Sequence, residues 1–328
     1  MNNPQIRISR KVATVPIIAG QFAYVDLPRQ YDYESVFLRI NGGLQVTTNC
    51  TSVRAEAPCQ SLARIELVAD GKNTLDSIPG HMACFGNYDR PGITAGARAT
   101  TPPTAATVAT YQVEAGIALD FAMPKGLEPK DSNFRTSQLS LFQLRLTFGN
   151  AIDNFVPGAG VAVYNGLNVD VFTQEVIELK GADGSFSMPI ALKKRSYQEI
   201  VVSGNNNGLE VKLPAGNLIT DVLTRAEGNV TAGEPSATML NNVIAKSGED
   251  YRLNLSAANL RMKNNLDFGQ ILAGYYIHNP MALGPAEEHI TCGWDVAGQL
   301  EPKMVYDTLG GANFKLFVAT TELILARK

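Results

Sequence analysis

Two pairs of soft ligands stand out in this sequence: His81 with Cys84, and His289 with Cys292, each spaced His-x-x-Cys. A structural zinc centre takes about four such ligands and a catalytic one about three. Neither pair has a second pair near it in the sequence, and there are only three histidines in all. The competing reading is a half-buried histidine beside a core cysteine, with Trp294 packed near, and it asks for no further ligand. Neither metal nor cofactor is expected. The same shortage bears on catalysis. There is no Gly-x-Ser-x-Gly elbow, no Walker A loop, no Gly-x-Gly-x-x-Gly and no EF-hand loop. Nor is there a His-x-His of the kind that doubled metal-binding barrels place on their strands. Glu287-Glu288 and Asp131 lie in polar stretches and read as solvated carboxylates. No catalytic residue is expected, and the chain is not read as an enzyme.

Charge is the next clue. The formal net charge is −3, which argues against a dedicated nucleic-acid-binding face. Cations gather in two places: Arg7, Arg10 and Lys11, ahead of the first acid at Asp26, and Lys193-Lys194-Arg195. The plain reading of both clusters is solvated loop charge. For the first there is a sharper one: a short arm, residues 1–11, that faces anionic lipid. Cys50, Cys59, Cys84 and Cys292 are too few for a disulfide scaffold at this length. Cys50 and Cys59 are near enough in sequence to close a loop, but reduced thiols are expected. The opening residues lack the charged-then-apolar order of a signal peptide, and no run of eighteen apolar residues occurs. The Asn-x-Ser/Thr triplets at Asn49, Asn229 and Asn254 are read as coincidence.

The elements around these residues are short and β-rich. Val12–Ile18, Phe22–Leu27, Ser35–Ile40, Leu44–Thr48, Leu62–Ala69 and Tyr111–Met123 have strand composition, as do Leu139–Phe148 and Leu167–Leu179. Asn41-Gly42-Gly43 reads as a turn and Asp70-Gly71 as a hairpin signal. Pro79–Tyr88 reads as a short helix and Leu253–Leu266 as a longer one. Ile93–Ala109 and Pro124–Gln138 read as long loops. Ser196–Ser203, Leu209–Leu213, Leu218–Arg225, Ile271–Ile277, His289–Val296 and Phe314–Leu325 complete the strands.

The chain also repeats itself. Val25–Gly42 returns as Val211–Gly228, with Val25/Val211, Leu27/Leu213, Pro28/Pro214, Val36/Val222, Arg39/Arg225 and Gly42/Gly228 identical. Val171–Ile177 returns as Val318–Ile324, again with Val, Thr, Glu and Ile in place. The offset is 186 residues at the first match and 147 at the second, so the first unit carries 39 more interior residues. With 328 residues, about two domains are expected. The boundaries read as an arm at 1–11, a first unit at 12–180, a linker at 181–195 and a second unit at 196–328. Many short strands, Pro/Gly/Asn turns and roughly eight strands per unit imply an all-β chain of two tandem antiparallel eight-stranded jelly rolls.

Three stretches then carry a resemblance. They are F-A-Y-V-D-L-P with S-V-F-L-R-I-N-G-G-L-Q-V, then S-L-A-R-I-E-L-V-A-D-G-K-N-T-L-D-S-I-P-G-H-M-A-C-F-G-N-Y, and A-L-D-F-A-M-P-K-G-L with S-Q-L-S-L-F-Q-L-R-L-T-F-G-N. In this order, across roughly Val12 to Leu325, the chain resembles the double jelly-roll major capsid proteins of tailless icosahedral viruses, the lineage of tectivirus capsid proteins and adenovirus hexon. The resemblance implies a structural subunit in homotrimeric, pseudo-hexagonal capsomers of a virion shell over an internal lipid membrane. The implied partners are further copies of the chain and minor capsid, vertex or membrane proteins, without direct contact to nucleic acid. The implied location is the virion, after the host cytoplasm. The alternative is a carbohydrate-binding or glycan-processing double jelly roll, for which Tyr31, Tyr33, Tyr275 and Tyr276 are the available aromatics.

Overall fold

Alternation of apolar and polar residues sets the strands. In Phe142–Phe148, F-Q-L-R-L-T-F, the apolar side chains are buried while Gln143, Arg145 and Thr147 face outward, as a period of two requires when one face meets a core. The computed structural model describes residues 5–85, 107–122, 132–156, 159–178, 191–228, 233–269, 271–280, 293–296, 301–311 and 314–325. Two compact units divide between Lys193 and Lys194.

The first unit contains β1 (Gln5–Pro16), β2 (Phe22–Asp26), β3 (Asp32–Thr48), β4 (Ser52–Val53), β5 (Leu62–Ala69), β6 (Asn73–Ile78), the helix α1 (Gly80–Phe85), β7 (Ala109–Asp120), β8 (Phe142–Phe148), β9 (Phe155–Val156) and β10 (Val161–Glu178). The second contains β11 (Ala191–Val201), β12 (Asn206–Lys212), β13 (Leu218–Glu227), β14 (Leu240–Ser247), β15 (Asp250–Ser256), the helix α2 (Ala257–Phe268), β16 (Tyr275–His278), β17 (Trp294–Asp295), β18 (Pro302–Thr308) and β19 (Lys315–Leu325). Apart from the short ribbon β4–β9, the first unit forms sheets in the order β1-β10-β3-β7 and β2-β8-β5-β6. The second unit, with β17 set aside on β13, gives β11-β19-β13-β16 and β12-β18-β14-β15. In each, the first long strand lies beside the last and the second beside the seventh, the strand order of a jelly roll.

The duplication extends to the hydrogen-bond register. In the first unit Val36 faces Thr173; in the second Val222 faces Thr320. Each pair from Asp32–Val176 to Asn41–Asn168 has its counterpart from Leu218–Leu323 to Glu227–Lys315. Even the β-bulge recurs, leaving Glu34 and Thr220 as the extra residue of their strands. Glu175 and Glu322 therefore occupy the same station. Beyond this shared stretch β3 runs on to Thr48 and β10 starts at Val161. Part of the first unit's excess length is thus a longer ladder. The loop Ile93–Ala109 lies largely, and Pro124–Gln138 about half, outside the described residues; of the linker, residues 181–190 lie outside them and residues 191–195 belong to β11.

Several local expectations change. The strand β1 begins at Gln5, because Gln5 to Lys11 pair with β10 from Glu178 to Phe172; residues 5–11 are ladder rather than arm. Asn41-Gly42-Gly43 is no turn: β3 passes straight through and the ladder continues to Val46 beside β7. The longer helix starts later. Leu253 and Leu255 pair with β14, and Ser256 caps α2 by accepting a hydrogen bond from the Asn259 amide at 3.2 Å. The strands β14 and β18 are not evident in the sequence, because Asn242, Lys246, Lys303 and Asp307 interrupt their outer face and Ile244 and Val305 there blur the alternation. Their inner positions Val243, Ala245, Met304 and Tyr306 are buried. Between Leu139 and Phe148 only Phe142–Phe148 is strand. Of His289–Val296, residues 293–296 are described, and only Trp294–Asp295 among them is strand, β17.

Candidate assembly surfaces

The three N-terminal cations all meet carboxylates. Arg7 donates to Glu34 at 2.7 Å, Arg10 donates to both oxygens of Glu175 at 2.9 and 2.7 Å, and Lys11 lies 2.6 Å from Asp170. Thr14 and Asn41 also donate to Asp170, and Gln174 to Glu34. From residue 6 onward β1 buries no side chain fully. It is held by its backbone ladder and by these pairs. The carboxylate ends are the buried ones: Glu175 is 0% exposed, against 37% for the Arg10 side chain. Hydrogen bonding to Glu175 raises the Arg10 pKa. Burial works to push Asp170 up, yet the hydrogen bonds from Lys11 and Thr14 hold it below the usual carboxylate value. Replacing Arg10 with Ala leaves Glu175 buried with Thr173 as its remaining partner. The expected loss is about 2 kcal/mol of unfolding free energy, below the figure for a fully buried pair because Arg10 reaches water. Urea unfolding checks it, and Arg10→Lys should recover only part, since one ammonium cannot reproduce the two-pronged bond.

His81 and Cys84 are buried within α1. His289, Cys292, Glu287, Glu288 and Asp131 lie outside the described residues. Among the described residues no group of three or more His, Cys, Asp or Glu is placed to hold a metal ion. Cys50, Cys59 and Cys84 are not joined in disulfides. The second basic cluster lies in β11, with Arg195 buried. Of the four tyrosines weighed for glycan stacking, Tyr33, Tyr275 and Tyr276 are buried, so their faces are not available to a sugar ring. Tyr31 lines a cleft of about 370 Å3 with Asp32 and Arg135. A larger cleft of about 720 Å3 lies over Asp26, Arg29 and Gln30. There the Arg29 guanidinium is already turned to the carbonyls of Leu139 and Ser140.

One group went unnoticed in the sequence. His278 is buried against Trp294, ring centroids 6.1 Å apart, and its Nε2 has no hydrogen-bond partner among the described residues. Burial, with the Lys263 charge, pushes its pKa down to about 4. As pH falls below about 6.5 the unfolded chain takes up this proton first. The folded chain does so only near 4, so stability is lost through that window. About 2 kcal/mol should be gone by pH 5. Comparing urea midpoints at pH 7 and pH 5 checks this: the wild type should lose more than His278→Gln. An equal loss in both would place the acid sensitivity elsewhere.

The described surface also carries exposed apolar side chains. Phe22 and Tyr24 stand on β2, with the Arg145 guanidinium over the Tyr24 ring, and Met262 and Leu266 stand on α2. Solved structures of known proteins match this fold. The major capsid protein of Sulfolobus turreted icosahedral virus superposes with a TM-score of 0.76 at 13% identity, over 98% of this chain and 97% of its own. The major capsid protein P2 of bacteriophage PM2 gives 0.65 at 13% identity, over 98% and 99%. The PBCV-1 capsid protein gives 0.61 at 10% identity, over 98% and 94%. This chain has the double jelly-roll fold of viral major capsid proteins. No protein-family model and no curated protein matches its sequence. At such identities the likeness is one of fold rather than of shared side chains. The double jelly roll expected from the repeat is the fold observed.

Proposed function

We propose that this protein is a major capsid subunit that builds the shell of an icosahedral virion, a structural role without a catalytic step. The observation that carries the reading is mutual coverage: capsid proteins match the double jelly roll over 98% of this chain and 97–99% of their own length. The finer reading is a homotrimeric, pseudo-hexagonal capsomer, since two jelly rolls per subunit give six around a three-fold axis. Its partners are neighbouring capsomers and minor capsid, vertex or membrane proteins, and nucleic acid is not contacted directly. Subunits gather in the host cytoplasm before assembly. Light scattering tests the trimer: a monodisperse species near three times the 35.3 kDa chain is expected. A lasting monomer at micromolar concentration removes the main physical support. Electron microscopy of purified particles tests the shell itself.

The same reading places an internal lipid membrane beneath the shell, with Arg7, Arg10 and Lys11 towards it. Arg7 and Lys11 keep 58% and 48% of their side chains exposed, which supports contact with anionic head groups. Each is already partnered by a carboxylate, so the expected attraction is below about 1 kcal/mol per cation. The Arg7→Gln, Lys11→Gln double variant should lose its salt-sensitive sedimentation with phosphatidylserine vesicles; unchanged sedimentation would overturn the membrane-facing assignment.

A further inference from the structure

Two exposed apolar patches are not shared by the duplication, and they fall one in each unit. On the second unit α2 buries Ala257, Leu260 and Asn264. Yet Met262 is 67% exposed and Leu266 83%. Four residues apart, they form one outward stripe. The exposed positions around them, Ala258, Asn259 and Asn265, carry no charge, Arg261 beside Met262 is only partly exposed, and Lys263 and Asp267 are closed on each other. A helix with apolar side chains on opposite faces is suited to being covered on both.

On the first unit Phe22 and Tyr24 are 66% and 57% exposed, their ring centroids 5.3 Å apart. The Arg145 guanidinium lies 5.6 Å over the Tyr24 ring. The strand β2 ends its sheet, so the pair stands at a rim. At the offset of 186 the second unit has Gly208 and Glu210 in place of these rings. In the first unit the helix between the fifth and sixth long strands is α1, whose residues are all buried. Among the described residues, each of these two patches therefore has no counterpart in the other unit. A closed ring of identical subunits needs such a contact between two different faces.

We propose that the Met262–Leu266 face of one copy docks on the Phe22–Tyr24 rim of the next copy. This rests on the homotrimeric capsid reading above and assigns its contact. A thioether and a branched aliphatic chain pack well against aromatic rings. Charge agrees too. Leu266 lies in the last turn of α2, whose unsatisfied carbonyls form the negative end of the helix. Arg145, fixed beside Tyr24, brings the matching cation.

The test is light scattering over a concentration series with Leu266→Arg, Phe22→Glu and the double variant, Trp294 fluorescence reporting that each is folded. Each single variant should raise the dissociation midpoint by about tenfold or more, and the double variant, with opposite charges facing each other, should recover most of that. Should Leu266→Arg refold poorly, Met262→Gln with Leu266→Gln keeps the helix polar and uncharged and should weaken the oligomer in the same direction. An oligomer as strong as wild type in the folded Leu266→Arg chain overturns this contact and leaves the capsid reading standing. Loss without recovery in the double variant overturns the pairing of the two patches. A wild-type chain that stays monomeric overturns the trimer on which both rest.

Discussion

Arg225→Ala is expected to cost about 3–5 kcal/mol of unfolding free energy, because it strips the partner from a buried carboxylate. The Arg225 side chain is 0% exposed. Its guanidinium donates to Glu227 and, at 2.8 Å, to the Gly233 carbonyl, and it lies 5.1 Å over the Phe317 ring. Glu227 is itself buried. Removing the cation leaves that charge dry and opens a cavity the size of the lost side chain, and the two effects add. Its counterpart in the repeat supplies the control. Arg39 is 44% exposed, pairs with Glu114 and approaches Asp170 at 3.9 Å. Arg39→Ala should barely move the unfolding midpoint, since exposed ion pairs contribute little. A further variant separates charge from packing: Arg225→Met with Glu227→Gln should recover much of the loss, because volume returns and no buried charge remains. Urea denaturation of the four chains measures all of this. Similar losses for Arg39→Ala and Arg225→Ala would show that burial is not what distinguishes the two arginines.

Gly42→Ala is the second large loss expected, about 3 kcal/mol or more, from a clash with fixed backbone and a disfavoured backbone angle together. A Cβ at Gly42 would sit 2.3 Å from the Gly166 carbonyl oxygen and 2.8 Å from the Leu167 Cα, at φ +130°. The repeat makes the same demand. A Cβ at Gly228, φ +153°, would sit 1.9 Å from Cδ1 of Phe314. Leu167 and Phe314 are themselves counterparts at the offset of 147. In both units the last shared glycine of the repeat lets the returning strand pass close. Gly228→Ala should cost somewhat less, because a ring can tilt where a carbonyl cannot. Gly20→Ala isolates the backbone term. Gly20 has φ +70°, and a Cβ there would meet nothing within 4 Å, so about 1 kcal/mol is expected. Thermal and urea unfolding of the three variants should rank Gly42 and Gly228 well above Gly20; equal effects would mean that close approach plays no part.

What the sequence by itself determined is local and periodic. The alternation of Phe142–Phe148 specified a strand with one core face, Asp70-Gly71 specified a hairpin, and two matches at two offsets specified a doubled unit. Since side chains alternate along a strand, burial of one face leaves its mark on the neighbouring letters themselves. The same repeat held the register in advance, for the two matched stretches turn out to pair with each other, in step, in both units. Other features were decided only by tertiary structure. Arg39 and Arg225 are the same letter in the same repeat, one in water and one sealed, because β3 alternates buried with exposed positions there while β13 is buried on both faces. Gly42 read as a turn because nothing nearby in the chain announces β10, more than a hundred residues on, crossing against it. The cations of β1 read as solvated because Glu34, Glu175 and Asp170 lie 27, 165 and 159 residues away. A charge finds its partner, and a glycine its close neighbour, only once distant strands are laid side by side, and that adjacency is a property of the folded sheet rather than of any stretch of sequence.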